Sequence, residues 1–230
     1  RLFMATPTNS SCQTILMCCN SVFGMVNFRA GIIRSLVATG NRVVVVAPSD
    51  AYVDDLKALG AEHVEWRLVG RGTHIPAEIA AILQLRSIYR NTRPDIAFHF
   101  TIKPVIYGAI ACRSLKIPFV SIVTGLGYAF INDNWISEIS KLLYRITLSW
   151  SKEVWLLNGD DRETMETQGL LRNANVRMLP SEGIDTTFFA PGNLISPKRL
   201  QFLLVARLLR DKGVFEFVDA ARKLLKAGVE

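Results

Sequence analysis

The sequence ILMCCNSVFGMVNFRAGIIRSLVATGNRVVVVA, residues 15–47, decides the fold class. Its two apolar runs, residues 15–19 and 43–47, are apolar at every position, which is typical of strands covered by helices on both sides of a parallel sheet. Between them, apolar residues recur at helical spacing over residues 26–39, and Gly40 follows as a residue suited to a helix C-terminus. The stretch therefore predicts a strand, a helix and a second parallel strand.

The same alternation continues along the chain. Further strands are predicted at residues 64–68, 96–100, 119–123, 154–157, 176–179 and 202–206, and further helices at 51–59, 76–91, 104–116, 136–150 and 160–168. This order predicts an α/β fold with a Rossmann-like, doubly wound parallel sheet. Such sheets bind ligands beyond the carboxyl ends of their strands, so the residues after each strand are the candidates for a site.

Composition excludes several classes of protein. The chain has 230 residues, half of them hydrophobic, and a mean hydropathy of +0.24, which is too apolar for a disordered chain. Its four cysteines include no C-x-x-C, so we expect reduced thiols in a cytoplasmic protein rather than a disulfide framework or a zinc site. The sequence shows no secretory signal, and the uncharged stretch at residues 117–132 is too short and too interrupted by Gly and Pro for a transmembrane helix.

The charge is unevenly distributed. The net charge is +7, and residues 67–116 carry eight Lys or Arg against two acids. A basic field suits a nucleotide diphosphate, nucleic acid or an acidic membrane surface, whereas the alternative is an ordinary solvated face. Because zinc-finger and RNA-recognition signatures are absent, nucleic-acid binding would depend on charge alone, and we expect none.

Three predicted strand ends carry candidate binding residues. Gly24 follows the first strand near a helix start, where backbone N–H groups favour an anion, although the absence of G-x-G-x-x-G argues against a dinucleotide site. Lys103 follows the fourth strand just before a predicted helix, where the helix dipole disfavours a cation. A lysine at this position is therefore expected to face an anion. Gly125 and Gly127 follow the fifth strand and permit close approach of a ligand, or simply a tight turn. His99 lies within an apolar run, as either a core histidine or a catalytic one.

The late part of the chain contains a break in composition. Residues 180–197 are rich in Pro and Gly and predict a linker, which divides the chain into domains 1–190 and 191–230. After it, Arg207 ends a predicted strand, and Lys212 precedes Gly213 at the start of a helix. A guanidinium and an ammonium at a helix start suit a diphosphate.

Residues 135–150 form a strongly apolar segment with two open interpretations. It either packs in the core, which is the commoner role, or docks on a lipid surface. Its charges balance, which argues against a basic membrane anchor.

The combined motifs resemble a known family. The run Arg207-Leu208-Leu209-Arg210-Asp211-Lys212-Gly213 is similar to the start of the C-terminal domain of family-4 retaining glycosyltransferases of the GT-B fold. The segments Asn27-Phe28-Arg29, Thr101-Ile102-Lys103-Pro104 and Thr124-Gly125-Leu126-Gly127 resemble the subgroup that builds bacterial surface polysaccharides on a polyprenyl diphosphate carrier. Together these stretches span most of the chain.

The resemblance implies a function and a set of site residues. It implies a retaining hexosyltransferase that moves a sugar from a nucleotide-sugar, typically UDP-linked, to a lipid-linked glycan, without cofactor or metal. Arg207 and Lys212 match the donor diphosphate pair, while Gly24, Asn27, Lys103, Thr124 and Gly125 match the donor and acceptor loops. Gly125 stands where many relatives carry a histidine, so a histidine contact is not expected there.

The resemblance also implies that the chain is incomplete. The family's Glu-x7-Glu segment and its nucleoside-binding part would follow Glu230, so we expect an N-terminal domain, the first βα unit of its partner, and negligible activity of this piece alone. We expect a cytoplasmic protein, peripheral at the inner face of the membrane. The alternatives are a GT-B-like nucleotide-sugar 2-epimerase and a non-catalytic basic binding domain.

Overall fold

The computed structural model describes residues 12–68, 75–126, 135–192 and 201–228. Contacts within the chain divide it into two units, residues 1–185 and 186–230. The first unit contains all seven strands assigned in the described residues, and the second contains one α-helix. Gly127, and residues 193–200 of the predicted linker, lie outside the described residues. The predicted roles of the two domains stay predictions.

The first unit is a seven-stranded, all-parallel sheet. Its strands are β1 (Thr14–Cys18), β2 (Arg42–Ala47), β3 (Glu62–Glu65), β4 (Ile96–Phe100), β5 (Phe119–Val123), β6 (Glu153–Leu156) and β7 (Val176–Met178). They lie in the order β3-β2-β1-β4-β5-β6-β7. The predicted doubly wound α/β fold is confirmed.

Helices cover both faces of this sheet. They are α1 (Val22–Ala38), α2 (Val53–Ala58), α3 (Ile75–Thr92), α4 (Ile102–Leu115), α5 (Trp135–Leu148) and α6 (Gly159–Thr167). One core lies between the sheet and α1 and α2, and the other lies between the sheet and α3, α4, α5 and α6. Helices α1 and α2 connect strands from β1 to β3, in one direction across the sheet, whereas α3 to α6 connect strands from β3 to β7 in the other. Because each crossover is right-handed, the two sets of helices lie on opposite faces.

Two element boundaries differ from the predictions by more than two residues. Helix α1 begins at Val22 rather than at residue 26, because the Ser21 hydroxyl caps it by accepting the Gly24 N–H at 3.2 Å. Strand β3 ends at Glu65 rather than at residue 68. The next residue, Trp66, is fully buried, and its indole N–H donates to the Ala81 carbonyl of α3 at 3.0 Å.

His99 is a core histidine. It is fully buried on β4, its ring stacks on Tyr89 and tilts against Phe119, and burial lowers its pKa to about 3. The imidazole is therefore neutral at physiological pH. The catalytic interpretation of His99 is wrong, because the ring has no access to a ligand.

Helix α5 packs one face in the core, as one of its two interpretations predicts. Tyr144, Thr147 and Leu148 are buried against the core. Ile139 and Leu142 belong to an opposite stripe that stays about half exposed. Docking of this stripe on a lipid surface stays a prediction.

The second unit contains less regular structure than predicted. A 3₁₀ turn at Arg210–Lys212 leads through Gly213, at φ +72°, into α7 (Val214–Lys226). The strand predicted at residues 202–206 is not formed, and the described residues of this unit are all at least partly exposed. A lone strand has no neighbour to supply its hydrogen bonds, so it is not stable by itself.

Candidate functional site

The candidate site lies where the sheet reverses its winding. β1 pairs with β2 on one side and with β4 on the other, and the helices after β1 and β4 lead away from each other. The carboxyl ends of β1, β4 and β5 therefore lie side by side, at the edge where sheets of this class usually bind a ligand. We call this region the crevice. The fold brings together the predicted loops that carry Gly24, Lys103 and Gly125.

The first loop is short and already well hydrogen-bonded. Gly24 lies in the first turn of α1, not in a loop, and its N–H donates a hydrogen bond to the Ser21 hydroxyl. The next N–H toward the helix start, that of Phe23, donates to an Asp50 carboxylate oxygen at 2.9 Å, and Asp50 also accepts the Tyr52 N–H at 2.9 Å. The Asp50 carboxylate thus binds one of the backbone N–H groups that were predicted to bind the anion of a ligand at this helix start.

A buried ion pair fixes the same turn from below. The Arg29 guanidinium donates to both Glu182 carboxylate oxygens, at 2.8 and 2.7 Å, and to the Gly24 carbonyl at 3.0 Å. Its carbon lies 4.2 Å from the centre of the Phe100 ring at the end of β4. Side-chain exposure is only 5% for Arg29 and 16% for Glu182. One side chain therefore ties α1, β4 and the segment after β7 together.

Asn27 lies on α1 one turn beyond Gly24. Its amide donates to the Phe23 carbonyl at 3.0 Å, so the side chain is held against the helix. It also lines a groove of about 490 Å³ between α1 and the segment 182–185, together with Phe28, Gly31, Ser35, Gly183 and Ile184. The predicted role of Asn27 in ligand binding stays a prediction.

The end of β4 carries the most unusual backbone of the site. Thr101 has φ +71° and ψ 163°, a region that is essentially reserved for glycine, and it directly precedes α4. Its hydroxyl oxygen is buried and has no hydrogen-bond partner among the described residues. Strain of this kind at a strand end is typical of functional sites, since the surrounding structure must hold it in place.

Lys103 faces an anion, as predicted, but that anion belongs to the protein. Its ammonium lies 2.7 Å from a Glu78 carboxylate oxygen, and the Tyr107 hydroxyl donates to the other oxygen at 2.5 Å. Burial, and then the neighbouring Glu78, raise the pKa of Tyr107. The cluster joins α3 to α4 at the edge of the crevice, and the predicted binding role of Lys103 stays a prediction.

Thr124 and Gly125 follow β5, the neighbour of β4 in the sheet. Both are partly exposed, and Gly125 has φ +142°, which favours glycine and explains why no side chain is carried there. The described part of this loop ends at Leu126, so Gly127 cannot be placed. The backbone around Gly125 is open, with no heavy atom within 4 Å of where a Cβ would be.

Arg207 and Lys212 both lie in the second unit. Arg207 is exposed in an irregular segment, and its carbonyl accepts the Leu209 N–H at 2.7 Å. Lys212, also exposed, ends the 3₁₀ turn that leads to Gly213 and α7. Their predicted contact with a donor diphosphate stays a prediction.

The sequence analysis missed three carboxylates that organise the site: Asp50, Glu78 and Glu182. Asp50 had a detectable signal, because it follows a strand in a Pro-Ser-Asp turn, where side-chain capping is common. Glu78 and Glu182 had none, since Glu182 is 153 residues from Arg29 and Glu78 is 25 residues from Lys103.

Neither a metal site nor a membrane-spanning helix is found among the described residues. No group of three or more His, Cys, Asp or Glu residues in the described ranges is arranged to hold a metal ion. None of the helices in the same ranges is both long enough and apolar enough to cross a bilayer.

Comparison with known families identifies a match over more than half of the chain. The profile described as glycosyl transferase 4-like matches residues 19–156. The matched region starts in the first loop and ends with β6, so it contains the three strand ends that form the crevice.

A curated relative is an enzyme of lipid-linked glycan assembly. It is the N,N'-diacetylbacillosaminyl-diphospho-undecaprenol alpha-1,3-N-acetylgalactosaminyltransferase of Campylobacter jejuni, 26% identical over 215 residues. The match covers 86% of this chain but only 57% of the relative. The chain thus spans a little over half the length of the curated relative that it matches.

Solved structures share the fold at low identity. A glycosyltransferase from Rickettsia africae superposes with a TM-score of 0.56 at 19% identity, covering 81% of this chain and 47% of that one. A UDP-GlcNAc 2-epimerase from Methanocaldococcus jannaschii gives 0.51 at 17% identity, covering 72% and 44%. Both confirm the expected architecture, and they show that it serves transferases and epimerases alike.

Proposed function

This chain belongs to the glycosyl transferase 4-like family, and from that premise we propose that it is part of a transferase that moves a sugar from a nucleotide-sugar to a lipid-diphosphate-linked glycan. The observation that carries the proposal is the family match over residues 19–156, which contains the crevice at β1, β4 and β5. The curated relative acts on an undecaprenyl-diphosphate-linked saccharide, which suggests an acceptor of the same chemical class.

Under this proposal the first unit holds the acceptor. The crevice combines a strained backbone at Thr101 with an open backbone at Gly125 and a charged cluster at Lys103. Backbone and charged groups are suited to sugar hydroxyls, which both donate and accept hydrogen bonds. The Arg29–Glu182 pair keeps the first turn of α1 in place and so preserves the shape of the crevice.

The second unit supplies the charge for the leaving group. When the glycosidic bond to the nucleotide diphosphate breaks, negative charge builds up on the phosphate oxygen. A guanidinium at Arg207 and an ammonium at Lys212 stabilise that charge if they contact it. Two cations provide this stabilisation without a metal ion, so we expect turnover to be insensitive to chelators.

We expect a retaining reaction, in which the acceptor attacks the same face of the donor sugar that the diphosphate leaves. We also expect residues 1–230 alone to have negligible transferase activity, because they span 57% of the relative's length. We place the protein in the cytoplasm, peripheral at the inner face of the membrane, because lipid-linked acceptors are anchored there.

The decisive experiment measures sugar transfer by the chain extended to the end of its reading frame. Radiolabelled UDP-N-acetylhexosamines are incubated with and without undecaprenyl-diphosphate-linked saccharides. A glycosyltransferase labels the lipid only when the acceptor is present, and NMR of the new linkage reports retention. Release of an epimerised free sugar without acceptor would instead identify an epimerase.

Matched variants test the charge pair. Arg207→Ala and Lys212→Ala are each expected to lower turnover by about 100-fold, the effect of removing one stabilising donor. Arg210→Ala, which removes a neighbouring cation of the same exposed segment, is the control and should stay near wild type. Equal losses in all three variants would mean that the segment contributes only through general charge.

A further inference from the structure

The outer faces of α3 and α5 carry exposed apolar stripes. On α3 the stripe is formed by Ile75, Ile79 and Leu83, which are 52–68% exposed. On α5 it is formed by Ile139, Leu142 and Ile146, which are 39–55% exposed. Both sets recur at three- or four-residue spacing, so each forms one continuous line on its helix.

The two stripes belong to one surface. Helix α4 packs between α3 and α5 and is itself largely buried, so the stripes lie about two helix spacings apart, roughly 20 Å. Polar contacts bridge the gap. The Arg86 guanidinium of α3 donates to the Ser114 hydroxyl of α4 at 3.0 Å, and the Arg113 guanidinium of α4 lies 5.9 Å from the Trp150 ring that follows α5.

This surface also carries positive charge that no carboxylate of the described residues pairs with. The three helices contain six basic residues and two acids. The acids, Glu78 and Glu138, pair with Lys103 and Lys141. In the ranges that the structure describes, no carboxylate forms an ion pair with the other basic residues, which are Arg86, Arg90, Arg113 and Arg145. We call the two stripes and these four arginines the basic apolar surface.

The opposite helix layer serves as an internal comparison. In α1 and α2 all three basic residues pair with carboxylates: Arg29 with Glu182, Arg34 with Asp185, and Lys57 with Asp54. Next to α5, helix α6 carries four acids and one arginine, which bounds the basic apolar surface on that side. Among the helices of the first unit, the basic residues without a carboxylate partner in the described ranges therefore lie on α3, α4 and α5.

We propose that the basic apolar surface docks on an anionic lipid bilayer, an inference that rests on the proposed function. Apolar side chains at the edge of a helix layer insert at the headgroup boundary, while arginines contact lipid phosphates. Self-association is the poorer fit, since a two-fold contact would set the four arginines against the same four arginines of a second copy.

The position of the surface agrees with the candidate site. Helix α3 begins at the carboxyl edge of the sheet, and its stripe occupies its first half, from Ile75 to Leu83. Glu78, which binds Lys103 of the crevice, lies in that same half. A bilayer on this surface therefore lies beside the entrance through which a lipid-anchored acceptor would reach the crevice.

The test uses the 230-residue chain and vesicles without donor or acceptor. Co-sedimentation is measured with phosphatidylcholine vesicles containing about 30 mol% phosphatidylglycerol, and with pure phosphatidylcholine vesicles. We expect binding to the anionic vesicles at least about 10-fold tighter than to the neutral ones, and weakened by salt. Equal binding to both, or none to either, would overturn the proposal.

Variants locate the contact. The double variant Leu83→Glu, Leu142→Glu is expected to lower the partition coefficient by at least about 10-fold, because it removes apolar contact and adds repulsion. Ile32→Glu, on the exposed face of α1, is the matched control and should stay within about twofold of the unmodified chain. Circular dichroism confirms that each variant is folded. An equal loss in the control would refute the assigned surface.

Two further outcomes separate this inference from its alternatives. If sedimentation velocity shows a dimer that the double variant abolishes, the surface is a contact between copies and the proposal fails. If the chain binds vesicles as expected but the extended chain transfers no sugar, the proposed function fails while the docking surface stands.

Discussion

The two helix layers that cover the sheet are alike on the inside and opposite on the outside. Both bury apolar side chains against the strands. On the outside, every basic residue of α1 and α2 has a carboxylate partner, whereas four arginines of α3, α4 and α5 have none in the described part of the chain. The two layers thus share the requirement to fill a core but differ in how their outer charges are paired.

The largest expected effect tests the paired side of this comparison. Arg29→Ala leaves the Glu182 carboxylate buried without its partner, so we expect the free energy of unfolding to fall by about 3–5 kcal/mol. Arg34→Ala removes an exposed pair with Asp185 and should cost less than about 1 kcal/mol. Urea unfolding followed by circular dichroism measures both. Similar losses would mean that burial does not distinguish the two pairs.

The second prediction compares one helix glycine in each layer. A Cβ at Gly108 of α4 would overlap the His99 ring, so Gly108→Ala should destabilise by about 2 kcal/mol. Gly31 of α1 has no heavy atom within 4 Å of that position, so Gly31→Ala should stabilise by about 0.5–1 kcal/mol through helix propensity. Thermal and urea unfolding give the sign, and two changes of the same sign would contradict the packing argument.

The third prediction concerns pH. The α1 side of the sheet buries a charged pair, whereas the α3 side buries a neutral imidazole whose pKa burial lowers to about 3. Below pH 6.5 the His99 imidazole takes up a proton in the unfolded chain but not in the folded chain, so protonation favours unfolding. The free energy of unfolding is therefore unaffected by His99 above pH 6.5 and decreases as the pH falls from 6.5 toward 3. At pH 5 the loss is about 2 kcal/mol.

The variant His99→Leu removes that titration. Its free energy of unfolding should change less between pH 7 and pH 5 than that of the unmodified chain, by about the same 2 kcal/mol. Urea unfolding at the two pH values measures the difference. If the free energy of unfolding changes equally in the variant and in the unmodified chain between pH 7 and pH 5, His99 is protonated in the folded state.

The smallest expected effect concerns backbone strain at the crevice. Thr101→Gly relieves a glycine-like backbone conformation at φ +71° but adds chain entropy, so we expect a net gain of up to about 1 kcal/mol. Thr124→Gly, at an ordinary backbone conformation beside it, should cost about 0.5–1 kcal/mol. Chemical denaturation distinguishes the two, and a loss in both would argue against strain at Thr101.

The fold was predictable because its signals are local. Apolar runs, helical spacing and Gly40 fixed the elements to within a few residues, and the parallel order follows from their alternation. The exceptions have particular causes. Ser21 starts α1 earlier than the apolar spacing suggests, and Trp66 turns inward under α3 and ends β3. The run at residues 202–206 lacks a neighbouring strand, which periodicity cannot reveal.

The candidate site was only partly predictable. Strand ends identified Gly24, Lys103 and Gly125, because parallel strands place their carboxyl ends together. The carboxylates Glu78 and Glu182 could not be found, since they reach Lys103 and Arg29 through tertiary contacts over 25 and 153 residues. For the same reason the sequence could not show that the anion facing Lys103 is a protein carboxylate.

The Arg29–Glu182 pair has a consequence for biosynthesis. Its two members are 153 residues apart, and Glu182 follows β7, so the ribosome adds it only after the seven assigned strands have been synthesised. Until then the guanidinium beside Gly24 lacks its carboxylate, and the turn that begins α1 cannot reach its final stability. The earliest part of the site to be synthesised is therefore the last to become rigid, and any shorter piece that ends before residue 182 never completes it.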